Sequence, residues 1–259
     1  MTQTLENMTL VVTGAASGIG RAIAVEAARR GARKLVATDI DNDGLAALSA
    51  ILPDRTELIC VTANLANPEA AAMIAERART GFGGIDGLVN AAGITTRAGF
   101  LDGTPQTFDD VFAINTRAPF LLMQQAIRDM RSRAQSGTIV NIQSMNAHCG
   151  APDLAIYSAS KGALQTLTKN AANAHIADGI RVNGINLGWV LTEAEHNMQA
   201  NVLGGGEDWA ERVAPTRPLG RLLNAEETAN LALYLLSPAS APMTGVNLDF
   251  EQSVVGAPA

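Results

Sequence analysis

Short apolar, β-branched runs alternate along this chain with longer stretches in which apolar residues recur at helical spacing. The runs lie near residues 9–13, 34–39, 57–62, 86–90, 138–143, 180–186 and 244–248. They read as strands because they are short, rich in Val, Ile and Thr, and bounded by turn residues. Seven strands separated by helical segments predict a doubly wound α/β fold, with a mainly parallel sheet and helices on both faces. Burial on both faces explains why the strands are continuously apolar rather than alternating. Residues 106–133 and 153–177 read as long helices. The least regular stretch, 191–217, carries Gly204-Gly205-Gly206, Trp209 and Pro215. It reads either as a substrate lid or as an ordinary surface insertion.

The loops after the strands carry the chemistry. Thr9-Leu10-Val11-Val12-Thr13 runs into Gly14-Ala15-Ala16-Ser17-Gly18-Ile19-Gly20 and then into an Ala-rich stretch from Arg21 to Arg30. Glycines there permit positive φ and let the backbone approach a pyrophosphate, which a helix N-terminus stabilises. A tight turn without a ligand is the plainer reading. The second strand ends in Asp39, where a dinucleotide fold meets the adenosine ribose, so its carboxylate can accept from the ribose hydroxyls. A 2′-phosphate would be repelled there, and Ser17 offers no compensating cation. NAD is therefore favoured over NADP. Asp39 also reads as the first residue of the polar run Asp39-Ile40-Asp41-Asn42-Asp43.

Tyr157 and Lys161 stand four residues apart, which puts both on one helical face. An ammonium beside a phenol favours the phenolate and lowers its pKa, giving a proton-transfer pair. Ser144 follows the run Thr138–Ile142, at the carboxyl end of a strand, where its hydroxyl can donate to a developing oxyanion. Asn115 lies among apolar neighbours in 106–133.

The glycine loop, Asp39, Asn90-Ala91-Ala92-Gly93, Asn115, Ser144 and Tyr157/Lys161, in this order, resemble the short-chain dehydrogenase/reductase family over nearly the whole chain. The spacing Gly14-x-x-x-Gly18-x-Gly20 resembles its classical branch. The resemblance implies a single Rossmann-type domain over 1–259 and a catalytic tetrad. In it Tyr157 is the acid–base, Lys161 its modulator and a nicotinamide-ribose ligand, Ser144 the carbonyl and Tyr orienter, and Asn115 the holder of a relay water. It further implies cofactor contacts from Gly14, Ser17, Gly18, Ile19, Gly20, Asn64, Leu65, Asn90, Gly93, Val190 and Thr192. Three departures stand out. Asn64 occupies the place of an Asp that meets the adenine amino group, Leu187 replaces the Pro of a Pro-Gly pair, and Asp249-Phe250-Glu251-Gln252 replaces an Asp-Gly-Gly tail.

At 259 residues, with 47% hydrophobic content, the chain suits one such domain. A net charge of −6 without a basic block argues against nucleic acid or anionic membrane as partner. The start shows no basic region before an apolar core, and no 18 apolar residues run uninterrupted, so a soluble cytoplasmic protein is expected. Cys60 and Cys149 read as reduced thiols, and His148, His175 and His196 are too scattered to suggest a metal site. The two long helices carry Phe108, Phe112, Phe120, Leu121, Leu164 and Leu167, more apolar residues than one sheet-facing stripe needs, and with the resemblance they imply a homotetramer.

The expected reaction is hydride transfer between a substrate carbinol carbon and nicotinamide C4. Polar residues gather around Ser144 (Gln143, Asn146, His148), after the cofactor loop (Thr95, Thr96, Arg97) and beyond Thr192 (Glu193, Glu195, His196, Asn197). They suggest a polyol or sugar, with Ser144, Asn146, His148 and Tyr157 touching it. Met145, Trp189 and Met198 leave an apolar or cyclic ketone open, and a non-catalytic dinucleotide sensor is the remaining alternative.

Overall fold

The computed structural model describes residues 5–255. Strands β1 (Thr9–Thr13), β2 (Lys34–Asp39), β3 (Glu57–Thr62) and β4 (Gly87–Asn90) alternate with helices α1 (Gly18–Arg29), α2 (Asn42–Ile51) and α3 (Ala70–Phe82). Then come α4 (Pro105–Phe112), α5 (Ala118–Ser132), β5 (Gly137–Ser144), α6 (Ala155–His175) and β6 (Ile180–Leu187). A short pair, β7 (Val190–Leu191) and β8 (Leu223–Asn224), brackets α7 (Glu193–Asn197) and α8 (Trp209–Val213), and α9 (Ala225–Leu236) and β9 (Asn247–Phe250) complete the order. The seven-stranded sheet runs β3-β2-β1-β4-β5-β6-β9, every neighbouring pair parallel. This is a Rossmann-type sheet.

Strand pleating splits the core in two, since successive side chains point to opposite faces. Leu10, Val12, Leu35, Ala37, Val140 and Ile142 pack with α1, α2 and α9, whereas Val11, Val36, Leu88 and Ile139 pack with α3, α5 and α6. Leu164, expected on an outer helix face, is only 1% exposed and joins the second core. With few aromatic residues, small side chains such as Ala24, Ala27, Ala75 and Ala78 let the helices lie close on the sheet.

Three elements differ from the sequence reading. The helix expected over 106–133 is broken by a π turn at Ala113–Arg117, which carries Asn115. The last strand begins at Asn247 rather than 244, because Gly245 (φ 75°) turns the chain and donates to Val182 O at 2.8 Å before pairing starts. The stretch 191–217 is more regular than expected, with α7, a π turn at Met198–Val202 and α8. Its Trp209 and Ala200 bury against Leu222, and Trp209 stacks on Trp189 with ring centroids 5.6 Å apart.

Candidate active site

The strand order reverses between β1 and β4, which opens a crevice at their carboxyl ends. Thr13 Oγ1 closes the floor of this crevice by accepting from Ala91 N–H and Ala92 N–H, each at 3.0 Å. Gly14 and Gly18 have φ of 66° and 52°, which a β-carbon disfavours. A Cβ on Gly20 would lie 2.1 Å from Gly14 O, so that glycine lets α1 start hard against the loop. Ser17 precedes α1 without a side-chain capping bond, leaving the first-turn N–H groups free for an anion. These features fit a dinucleotide pyrophosphate.

Asp39 is oriented by the loop it faces: Ala16 N–H donates to Oδ2 at 3.0 Å and Asp41 N–H to Oδ1 at 3.1 Å. Each oxygen keeps a second lone pair for a ribose hydroxyl. Asn64 Oδ1 accepts from Ala66 N–H at 2.9 Å, so only its remaining lone pair could meet an adenine amino group. Leu65 is buried beside it. Asn90 is buried and donates to Asn141 Oδ1 at 2.7 Å, and its own Oδ1 has no partner among the described residues. Val190 is buried, and Thr192 stands across the slot, since a Cβ on Gly18 would lie 3.5 Å from its Cγ2.

The four residues of the expected tetrad come from three elements, the π turn, β5 and α6, and two of them, Asn115 and Lys161, meet beside Gly93. A Cβ built there would lie 3.3 Å from both Asn115 Oδ1 and Lys161 Nζ. The π turn brings the Asn115 amide onto the loop after β4, where Oδ1 accepts from Ile94 N–H and Nδ2 donates to Ile94 O, both at 2.9 Å, and to Ser160 Oγ at 3.1 Å. Single π turns inside helices are frequent at functional sites. Ser144, at the end of β5, hydrogen-bonds the Tyr157 phenol and accepts from Asn146 N–H at 3.2 Å. Lys161 Nζ donates to Ile142 O at 3.0 Å and lies 5.8 Å from the Tyr157 ring centroid.

The expected depression of the Tyr157 pKa is overturned. Burial pushes the phenol up to about 12; the Ser144 hydrogen bond opposes this rise and the negative charge of Glu195 adds to it. Burial also holds Lys161 down at about 8. A low-dielectric site disfavours the charged form of each group. The protonated phenol is the form that donates to a carbonyl, and the phenolate the form that accepts from an alcohol.

On the substrate side, Asn146 is held on Ser144 through Nδ2 at 3.3 Å. His148 turns toward β9, its Nε2 2.9 Å from Asp249 Oδ1. Gln143 does not belong to a substrate pocket, because it points beneath α6 and donates to Thr168 Oγ1 at 2.9 Å. Arg97 is paired with Asp153, and His196 with Glu207. Glu195, on α7, accepts at Oε1 from Trp189 Nε1 and Gln199 Nε2, both at 2.8 Å. Glu195→Gln should lower the Tyr157 pKa by removing that charge, so the rising limb of the oxidation kcat/KM profile, where the phenolate forms, should move to lower pH. An unmoved limb would show that the carboxylate does not act on the phenol. The sequence reading missed the π turn, which has no local signature, and gave no role to Glu251, whose departure from a Gly-Gly tail was nonetheless visible.

A family model described as enoyl-(acyl carrier protein) reductase matches residues 14–251. Carbonyl reductase [NADPH] 2 of Sus scrofa is 35% identical over 248 residues, covering 96% of each chain. D-threitol dehydrogenase of Mycolicibacterium smegmatis is 36% identical over 248 residues, covering 94% of this chain and 91% of its own. The crystal structure of L-sorbose reductase from Gluconobacter frateurii, complexed with NADPH and L-sorbose, superposes with a TM-score of 0.92 at 28% identity, covering 99% of this chain and 100% of its own. With the fold and the gathered tetrad, these likenesses identify the chain as an oxidoreductase that belongs to the short-chain dehydrogenase/reductase family.

Proposed function

We propose that the protein is an NAD-dependent dehydrogenase that interconverts a secondary alcohol and its carbonyl on a polyol or sugar. The observation that carries the substrate class is Glu195. It is a carboxylate whose charge is felt at the Tyr157 phenol, whose Oε1 is anchored and whose Oε2 has no partner among the described residues. Such an acceptor beside the reacting centre suits a substrate with several hydroxyls and penalises one that leaves it unpaired. Asn146 adds a second polar group next to Ser144. The D-threitol dehydrogenase and L-sorbose reductase likenesses support this class. The stacked Trp189/Trp209 pair and the carbonyl reductase relative favour an apolar ketone as the second reading.

A bound nicotinamide supplies the hydride acceptor or donor. Around it, the glycine loop and the start of α1 hold the pyrophosphate, Asp39 the adenosine ribose, Asn64 and Leu65 the adenine, Asn90 and Gly93 the inner wall, Lys161 the second ribose, and Val190 and Thr192 the carboxamide. Tyr157 takes the hydroxyl proton during oxidation and returns it during reduction, while Ser144 donates to the oxygen as negative charge builds on it. Asn115 fixes the Ile94 backbone, and the remaining lone pair of its Oδ1 accepts a water that can also reach Lys161 Nζ. The segment 191–217 acts as the lid and carries Glu195, whose charge reaches the phenol. A panel of polyols, sugars, hydroxy acids, cyclic alcohols and steroids with NAD, followed by absorbance, tests the reading. Four- to six-carbon polyols or sugars should give the highest kcat/KM. If cyclic or steroid alcohols far exceed every polyol tried, the apolar reading replaces it.

The same proposal includes a homotetramer. Phe108 and Phe120 are half-exposed, and a groove of about 280 Å³ between α5 and α6 is lined by Phe120, Met123, Ile127, Leu167 and Ala171. These faces would pair across subunits. Light scattering at micromolar concentration should give about four times the chain mass, and a monomer mass rejects it.

A further inference from the structure

Both ends of segment 191–217 converge on one carboxylate just past the C-terminal strand β9. Glu251 Oε2 accepts from Trp189 N–H at 3.1 Å, two residues before the segment starts. Arg217, its last residue, pairs with Glu251 Oε1 at 3.2 Å. The Glu251 side chain is only 10% exposed and that of Arg217 22%, so the pair is shielded from solvent. Gly188 makes room for it, since a Cβ there would lie 1.9 Å from Glu251 Oε2. The neighbouring backbone is tied to the same strand through Gly188 N–H, which donates to Phe250 O at 2.9 Å. Gln252 continues the fastening, accepting from Leu219 N–H at 2.8 Å and donating to Arg221 O at 2.7 Å. Two sequence departures thereby explain each other. Leu187-Gly188 lacks the ring that would stiffen this turn, and Glu251, the residue after β9, reaches in to hold it.

We propose that Glu251 is a positioning residue that clamps both ends of the lid and so fixes Val190 and Thr192 against the nicotinamide. It touches neither substrate nor reacting atoms. Its effect passes through the Gly188–Trp189 backbone on one side and Arg217 on the other. Losing the clamp frees the turn, and ordering it again on binding must cost cofactor affinity.

The test is NADH binding by fluorescence, without substrate, to folded Glu251→Ala and Glu251→Gln variants, together with subtilisin nicking within 191–217. For Glu251→Ala the Kd should rise about tenfold, the scale expected for losing hydrogen bonds to a charged group, and nicking should accelerate. Glu251→Gln keeps an acceptor for Trp189 N–H but not the charge facing Arg217, so its Kd should fall between the two. Arg217→Gln should match Glu251→Gln, and the double variant should be no worse than either single one. An NADH Kd within twofold of the parent in folded Glu251→Ala overturns the proposal. If that variant does not fold, parent-like binding and nicking in Glu251→Gln and Arg217→Gln overturn it instead. The inference rests on the dinucleotide reading of the crevice. A parent protein that binds no NADH defeats that reading, whereas a parent that binds and variants that bind equally defeat only the clamp.

Discussion

Tyr157→Phe is expected to bind NADH as the parent does and to lose about 10²–10⁴ in kcat, the usual contribution of a positioned proton donor or acceptor. The ring is only 8% exposed and packs as it did, so removing one oxygen leaves the fold and the crevice in place. What disappears is the group that Ser144 hydrogen-bonds and that burial holds protonated up to about 12. Stopped-flow turnover and NADH fluorescence on the same preparation separate the two effects. A kcat near that of the parent would end the assignment of Tyr157 as the acid–base.

NAD should bind at least about a hundredfold more tightly than NADP, since a like-charge juxtaposition costs several kcal/mol. Asp39→Ser should narrow that ratio by removing the repulsion. The ratio is the quantity to follow, because Asp39 also receives Ala16 N–H and Asp41 N–H, and the substitution loosens the glycine loop for both cofactors. Calorimetry with each cofactor on each protein measures it. Equal affinities in the unsubstituted protein would mean that Asp39 does not meet the ribose.

The parts legible in the sequence were those set by local pattern. Val11 and Val12, or Val36 and Ala37, mark strands buried on both faces, and the glycine spacing after β1 marks the turn into α1. Tyr157 and Lys161 followed from helical spacing, and Ser144 from its place after an apolar run. What escaped depends on contacts between distant segments. The π turn at Asn115 is held by Ile94 and Ser160, 21 and 45 residues away. β7 and β8 are two residues each, too short for any periodicity. Gln143 looked like a pocket residue because it neighbours Ser144, yet in a strand adjacent side chains face opposite ways. The sign of the Tyr157 shift was misjudged because spacing reveals the neighbouring ammonium but not the burial that raises the phenol.

The most direct measurement of the central claim follows one hydrogen. The best alcohol from the panel, deuterated at its carbinol carbon, is turned over with NAD by the parent protein, and the reduced cofactor is analysed by mass spectrometry and NMR. Transfer of the carbinol hydrogen as hydride, with Tyr157 handling only the hydroxyl proton, puts the deuterium at nicotinamide C4 and none in water. Deuterium released to solvent, with unlabelled cofactor, would contradict the account.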